Sequence, residues 1–174
     1  MPYGTIGIQR FNALSDLQAM HALFEACSST IWARRVLEAR PFPDPEALFD
    51  RADRALAELP ENEIDAALDG HPRIGDRVAA GTTSSREQAA VQSAGGAVRE
   101  ALAAGNRKYE DKFGHVYLVC ASGRPAEELL AILDERLAND PATERRVLRS
   151  ELGKINRLRL ERLLREPNPS EVTS

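Results

Sequence analysis

Apolar residues recur at helical spacing along almost all of this 174-residue chain, and that periodicity limits its fold more than any other feature. In most segments they stand three or four positions apart, as on one face of an α-helix. The one strand-like stretch, HVYLVCASG at 115–123, has no convincing second strand to pair with, and an isolated strand is unstable. We therefore predict an all-α fold, a single-domain compact bundle of about eight or nine helices, in which 115–123 forms a buried turn or a short helix.

Prolines, glycines and capping residues mark the ends of the helices. Ser15 is placed to cap the first of them, and Gly95-Gly96 should interrupt the fifth. Residues 1–166 make up the predicted domain, and the polar tail 167–174 is expected to be disordered. The predicted helices are, in chain order, 16–27, 30–39, 44–59, 62–68, 85–105, 125–138 and 141–165.

Two of these helices have a clear inward face. In 16–27 the large apolar residues share one side, so His21 among them is interpreted as a core residue. The predicted inward face of 16–27 consists of Leu17, Met20, His21, Phe24 and Cys27. The predicted inward face of 44–59 consists of Leu48, Phe49, Leu56 and Leu59.

The composition is that of an ordinary globular protein, with 43% hydrophobic and 29% charged residues. A formal net charge of −4 provides no basic face for nucleic acid or an anionic membrane, which disfavours a helix-turn-helix DNA-binding protein. We find no apolar run of membrane-spanning length and no signal-peptide pattern. Cys27 and Cys120 lie in apolar surroundings and are expected to stay reduced, so we predict a soluble, cytoplasmic protein.

Two charged residues fall on helix faces that should be buried. In the last helix Arg159 lies in the middle of the inward stripe, whereas Arg157 points toward solvent. In 85–105, Glu87 and Ser84 extend the inward stripe toward its N-terminus. Buried charges are costly unless paired, so Arg159 and Glu87 either pair with each other or border a polar cavity for a charged ligand. The inward stripe of the last helix consists of Leu148, Leu152, Ile155 and Leu163.

Each of these residues also has a purely structural interpretation. Ser84-x-x-Glu87 has the spacing of a helix capping box, and the same pattern recurs one residue later. Arg159 could extend its guanidinium outward from the end of the apolar stripe. His71 could interact with the C-terminal dipole of the preceding helix. The common metal, dinucleotide, phosphate-loop and nucleophile-elbow motifs are absent, so no metal site is predicted.

Four motifs occur in a fixed order along the chain: His-Pro at 71–72, Ser-x-x-Glu-Gln at 84–88, Tyr-x-x-Lys-Phe-Gly at 109–114 and Lys-Ile-x-x-Leu-Arg-Leu at 154–160. With FEACSSTIWARRVLEARPF (24–42) and LDERLANDPATE (133–144), they resemble the ureidoimidazoline decarboxylases of urate degradation over nearly the whole chain. Any one motif alone would be a weak signal, whereas four in register are specific.

The resemblance implies a carboxy-lyase that needs no cofactor and no metal. Members of this family are helical homodimers that convert 2-oxo-4-hydroxy-4-carboxy-5-ureidoimidazoline (OHCU) to S-allantoin. The resemblance assigns catalysis to His71 and Glu87, and it suggests an association with the hydroxyisourate hydrolase of the same pathway. It assigns substrate binding to Pro72, Ser84, Gln88, Val119 and Arg159.

The chain departs from the family pattern at two places. After His-Pro it has Arg-Ile-Gly-Asp at 73–76, and after Phe113-Gly114 it has His-Val-Tyr at 115–117. Both departures leave the assigned catalytic residues intact. The second concerns the segment that lines the family's pocket, where His115 could add a polar contact.

Two other functions stay open from the sequence. A non-catalytic helical interaction module would keep the fold but expose His71, Glu87 and Arg159, or hold them far apart. A hydrolase acting on a neighbouring ureide would need a metal or a dedicated water activator, and no metal spacing is found.

Overall fold

The structure, a computed structural model, describes residues 7–75 and 87–165. Within these two ranges the chain forms nine α-helices and no β-strand, which confirms the all-α prediction. Nor does any helix in them have the length and apolar character needed to cross a membrane. The helices are α1 (Gly7–Ala13), α2 (Asp16–Ala26), α3 (Thr30–Glu38), α4 (Pro45–Ala57), α5 (Glu61–Leu68), α6 (Ala89–Gln92), α7 (Gly96–Phe113), α8 (Ala126–Leu137) and α9 (Pro141–Leu164).

The chain divides into two compact units, Met1–Ala67 with Gly153–Ser174, and Leu68–Leu152. The single domain at 1–166 therefore stays a prediction. The tail at 167–174 lies outside the described residues.

Side-chain caps begin three helices of the first unit. The Ser15 hydroxyl accepts the Gln18 backbone N–H at 3.2 Å, and the Gln18 side chain accepts the Ser15 N–H, so the predicted cap of α2 is confirmed as a capping box. Ser29 and Asp44 cap α3 and α4 through backbone N–H groups three residues further on. Each cap satisfies an amide that the first turn of a helix leaves without an intrahelical partner.

Helices α3 and α4 form the core of the first unit around Trp32. Its fully buried indole donates its N–H to the carbonyl of Ala52 at 3.0 Å. The predicted inward face of 44–59 is confirmed, and burying each such side chain contributes about 1.5–3 kcal/mol. Close packing extends to Gly153, where an added Cβ would lie 3.3 Å from the side chain of Leu56.

The prediction for α2 was wrong in phase. Leu17 and Phe24 are 81% and 42% exposed, and His21 is exposed and pairs with Glu25 at 3.5 Å instead of lying in the core. The prediction relied on large residues, but the buried face of α2 is built mainly from small ones, which let a neighbouring helix approach closely. Cys27 is buried as predicted. The buried residues of α2 are Ala19, Ala22, Leu23 and Ala26.

Helix α7 in the second unit also differs from its prediction. Gly95 precedes its first residue, so the predicted interruption is confirmed, but the helix continues through Gly105 to Phe113. A Cβ on Gly105 would lie 2.5 Å from Cδ2 of Leu133, so this glycine allows α7 and α8 to pack closely and does not end the helix. The actual stop is Gly114, which takes the left-handed conformation at φ +77°.

The segment 115–123 forms no strand, as predicted, and no helix either. Its central residues are buried in an irregular conformation that ends in a turn before Arg124. The Tyr117 hydroxyl donates to the Leu129 carbonyl at 3.0 Å and so ties the segment to α8. On α9, Leu148, Leu152 and Ile155 are buried as predicted, whereas Leu163 is only half-buried.

Candidate functional site

His71 and Pro72 lie in an irregular loop that follows α5, residues 71–75, called here the His71 loop. The His71 backbone N–H bonds the Leu68 carbonyl at 3.0 Å, which closes the last turn of α5. Both side chains are half-buried. The loop reverses at Gly75, whose φ of +95° favours glycine.

Two buried amide side chains anchor the His71 loop. Gln88 accepts the Gly75 N–H at 3.0 Å and donates to the Arg73 carbonyl at 3.4 Å. Asn106 on α7 donates to the Ile74 carbonyl at 2.9 Å. Both residues are only 4% exposed, and their bonds satisfy backbone groups of a loop that has no regular secondary structure. At the surface, Arg73 pairs with Glu110 at 2.6 Å.

Glu87 directly precedes Gln88, whose side chain contacts Arg73 and Gly75 of the His71 loop. The Glu87 side chain is half-buried. Ser84, the third member of the predicted motif, lies outside the described residues. The capping-box interpretation of Ser84 and Glu87 stays a prediction for the same reason.

Val119 is buried in the same apolar cluster as Ile74 of the His71 loop, together with Leu102 and Tyr109 of α7. The cluster thus joins the 115–123 segment to the loop. His115 is half-buried, its Nδ1 lies 3.1 Å from the carbonyl of the next residue, and its ring meets the edge of Tyr109. These contacts give His115 a place in an aromatic group, and its predicted polar contact with a ligand stays a prediction.

A buried ion pair holds the other side of this segment. Arg136 on α8 is 4% exposed and donates to the Glu144 carboxylate at 2.7 Å and to the Leu118 carbonyl at 2.6 Å. Glu144 is fully buried and also accepts the Tyr109 hydroxyl and the Asn139 amide. Burial and the bond to Glu144 raise the pKa of Tyr109 above its usual range, so Tyr109 remains a donor.

Arg159 belongs to the first unit and is half-buried on α9. Its guanidinium donates to the Ala26 carbonyl at 3.1 Å, which is an internal contact and differs from the outward extension considered above. Nearby, burial raises the pKa of the Cys27 thiol from 9.0 to about 11, partly offset by the Asn156 amide and by Arg159. Arg157 lies at the surface, where it pairs with Glu46 at 3.1 Å.

Sequence reasoning missed Asn106, Arg136 and Glu144. Asn106 lies on the same face of α7 as Leu102 and Tyr109, so a longer helix prediction would have shown a polar side chain facing inward. No local pattern marks Arg136 or Glu144, which meet through folding. In the described part of the chain, no three His, Cys, Asp or Glu residues cluster as metal ligands would.

The described part of the chain is an all-α fold in which two buried amide side chains anchor the loop that carries His71. Residues 12–161 match the family model of OHCU decarboxylase. This match covers most of the chain, and the chain belongs to the OHCU decarboxylase family. The resemblance inferred from its motifs is thereby confirmed.

Curated relatives carry related names. The chain is 29% identical over 141 residues to a 2-oxo-4-hydroxy-4-carboxy-5-ureidoimidazoline decarboxylase of Amia calva, covering 78% of this chain and 81% of that protein. It is 28% identical over 144 residues to the uric acid degradation bifunctional protein TTL of Arabidopsis thaliana, and 26% identical over 169 residues to the uric acid degradation bifunctional protein of Bacillus sp. (strain TB-90). These matches cover 79% and 95% of this chain but 44% and 34% of the two bifunctional proteins, so the chain spans less than half of their length.

Solved structures share the fold. A crystal structure of OHCU decarboxylase in the presence of (S)-allantoin has a TM-score of 0.74 and 26% identity, covering 87% of this chain and 99% of that one. A crystal structure of (S)-allantoin synthase has a TM-score of 0.68 over 89% of this chain and 53% of that one. At 17% identity, the second likeness concerns the fold alone.

Proposed function

We propose that this chain is a carboxy-lyase that converts OHCU to S-allantoin in urate degradation, without a cofactor. Membership of the OHCU decarboxylase family supports the proposal. The observation that carries it is the His71 loop, whose backbone bonds the buried Gln88 side chain. Catalytic groups held in a fixed geometry can lower a barrier substantially before any chemistry is considered.

The proposed reaction needs a proton donor and fixed partners for developing charge. The bond between the ring carbon and the carboxylate breaks, CO₂ leaves, and the electron pair moves into the conjugated ring, where a ring nitrogen takes up a proton. The hydroxyl then loses its proton, and a proton adds to the carbon bearing the ureido group, which sets the stereocentre. We assign general acid–base work to His71, since imidazole titrates near neutral pH, with Glu87 as its charged partner. General acid–base catalysis of this kind typically raises the reaction rate by about 10²–10⁴-fold.

The remaining assigned residues would bind the substrate. Arg159 offers a planar guanidinium, which suits a carboxylate or a ureido oxygen and stabilises developing negative charge. Ser84 and Gln88 would bond the polar atoms of the ring and the ureido group. Pro72 would orient the histidine, and Val119 would line the pocket. Because the Gln88 amide already bonds the loop backbone, its effect on the substrate would combine contact with positioning.

A His71→Asn variant tests the proposal, with His21→Asn as its matched control. His21 is exposed on α2, so its replacement should leave OHCU consumption unchanged. His71→Asn should lower kcat by about 10²-fold or more, because asparagine cannot exchange a proton near neutral pH. OHCU would be generated from urate with the two upstream enzymes, and its decay followed by ultraviolet absorbance. Equal rates for both variants would remove His71 from the mechanism.

We also propose a homodimer, with association to the hydroxyisourate hydrolase of the same pathway. Exposed apolar side chains on α2 and α3, namely Leu17, Phe24 and Ile31, support an interface, since such groups favour covered surfaces. Sedimentation velocity at micromolar concentration should give the mass of a dimer. A monomer across the concentration range would contradict the proposal.

A further inference from the structure

Arg136 makes more contacts than a simple ion pair requires. Its Nε and Nη2 groups bond Glu144, its Nη1 donates to the Leu118 carbonyl at 2.6 Å, and its guanidinium lies 4.9 Å from the ring centre of Tyr117. The Tyr109 ring lies 5.7 Å away on another side. Arg136 therefore joins three elements, α7, α8 and α9, to the backbone of the irregular segment.

Glu144 completes a satisfied polar network in a dry interior. One carboxylate oxygen faces Arg136 and the Tyr109 hydroxyl, and the other accepts the Asn139 amide at 3.1 Å. A buried ion pair is seldom more stable than well-packed apolar residues of the same volume. Stability alone therefore does not explain this ion pair. Its hydrogen bonds to neighbouring groups, which fix the positions of those groups, explain it better.

The group that most needs a fixed hydrogen-bond donor is the Leu118 carbonyl. Residues 115–123 have neither helix nor strand to fix their backbone, so side chains must supply the constraint. The Arg136 bond to Leu118 and the Tyr117 bond to α8 are two such contacts. Val119 follows directly and is 2% exposed in the cluster that also holds Ile74 of the His71 loop.

We propose that Arg136, held by Glu144, is a positioning residue that sets the backbone of Leu118 and Val119 where the substrate binds. This inference rests on the proposed function, because it takes Val119 as a residue of the substrate pocket. Arginine suits the role and lysine does not. Its rigid fork reaches the carboxylate and the carbonyl together, whereas an ammonium group acts as a single point charge.

Arg136→Lys is the first test, and Leu48→Ala is its control. Leu48 is fully buried on α4 in the first unit, so its truncation destabilises the protein without removing a member of the apolar cluster that holds Val119. At a temperature where both variants are folded, Arg136→Lys should raise KM for OHCU about tenfold or more and erode the enantiomeric purity of the product, since small displacements are costly. Leu48→Ala should lower the melting temperature without raising KM. Similar KM values in the two variants would reduce Arg136 to a structural role.

Hydrogen exchange tests the same idea without OHCU. In Arg136→Lys, and in Glu144→Gln if the lysine variant does not fold, amides of 117–121 should exchange at least tenfold faster than in Leu48→Ala. Equal exchange would overturn the positioning role. If the wild type does not consume OHCU but 117–121 responds as expected, the proposed function fails while the positioning of the segment stands.

Discussion

At the residue scale, the His71 loop depends on two buried amide side chains. Gln88 and Asn106 bond three consecutive backbone positions of this loop. A buried backbone group left without a partner costs about 1–3 kcal/mol. These bonds therefore favour the observed backbone conformation of residues 73–75, which follow His71 directly.

Replacing Asn106 should disturb this loop. Asn106→Ala removes the donor to the Ile74 carbonyl, so we expect a loss of about 1–3 kcal/mol in the free energy of unfolding and about a tenfold lower kcat. Urea unfolding and OHCU turnover measure the two effects. Asn62→Ala, at an exposed position of α5, is the control and should change neither. Wild-type kcat in Asn106→Ala would show that the loop does not need this anchor.

The Cys27 thiol gives a prediction about pH. Its folded pKa of about 11 exceeds the ordinary 9.0, so the folded state favours the protonated thiol. The resulting stabilisation, at most about 2–3 kcal/mol, is complete below pH 9 and is lost as the pH rises through 11. The difference in free energy of unfolding between wild type and Cys27→Ala should therefore shrink across that window. A difference that stays constant to pH 11 would contradict the raised pKa.

At the element scale, caps and proline positions made most helix boundaries predictable. Ser15 signals the start of α2, and Pro45 and Pro141 stand at the first turns of α4 and α9. The wrong predictions share one physical cause. A small residue can mark the end or the outer face of a helix, or it can allow two helices to pack closely, and the sequence alone does not distinguish these roles. Gly105 resembles a helix end in the sequence but allows a close contact between α7 and α8. The alanines of α2 form most of its buried face, which the prediction had assigned to larger residues.

The packing role of Gly105 can be tested directly. Gly105→Ala gains about 1 kcal/mol of helix propensity, but its Cβ would overlap the buried Leu133 side chain, and overpacking typically costs about 1–3 kcal/mol. We expect a lower melting temperature by differential scanning calorimetry. Gly96→Ala at the start of α7 meets no atom within 4 Å and is the control, with no loss expected. A more stable Gly105→Ala would mean that α8 moves aside at little cost.

The candidate site could be predicted only in part. The predictable part consists of residues that are close in sequence, and the rest consists of residues that folding brings together. Motifs that are local in sequence, such as His71-Pro72 and Glu87-Gln88, are readable because their spacing is fixed along the chain. The hydrogen bonds of Arg136 with Glu144 and Leu118 cannot be predicted in this way, because they join residues from separate elements. Helical phase identified Arg159, but its bond to Ala26 depends on tertiary packing.

At the scale of the whole molecule, the family match runs from residue 12 to 161 and so takes in residues of both compact units. The assigned residues are divided likewise, with His71, Glu87, Gln88 and Val119 in one unit and Arg159 in the other. The proposed decarboxylase depends on these residues, whereas an interaction module would not.

The most direct test is therefore circular dichroism of freshly generated OHCU, with and without this protein. The proposed function predicts rapid growth of the S-allantoin signal at a rate proportional to enzyme concentration, because the enzyme delivers the proton to one face of the ring. Slow decay to racemic allantoin, the same with and without the protein, would contradict it and favour the interaction module.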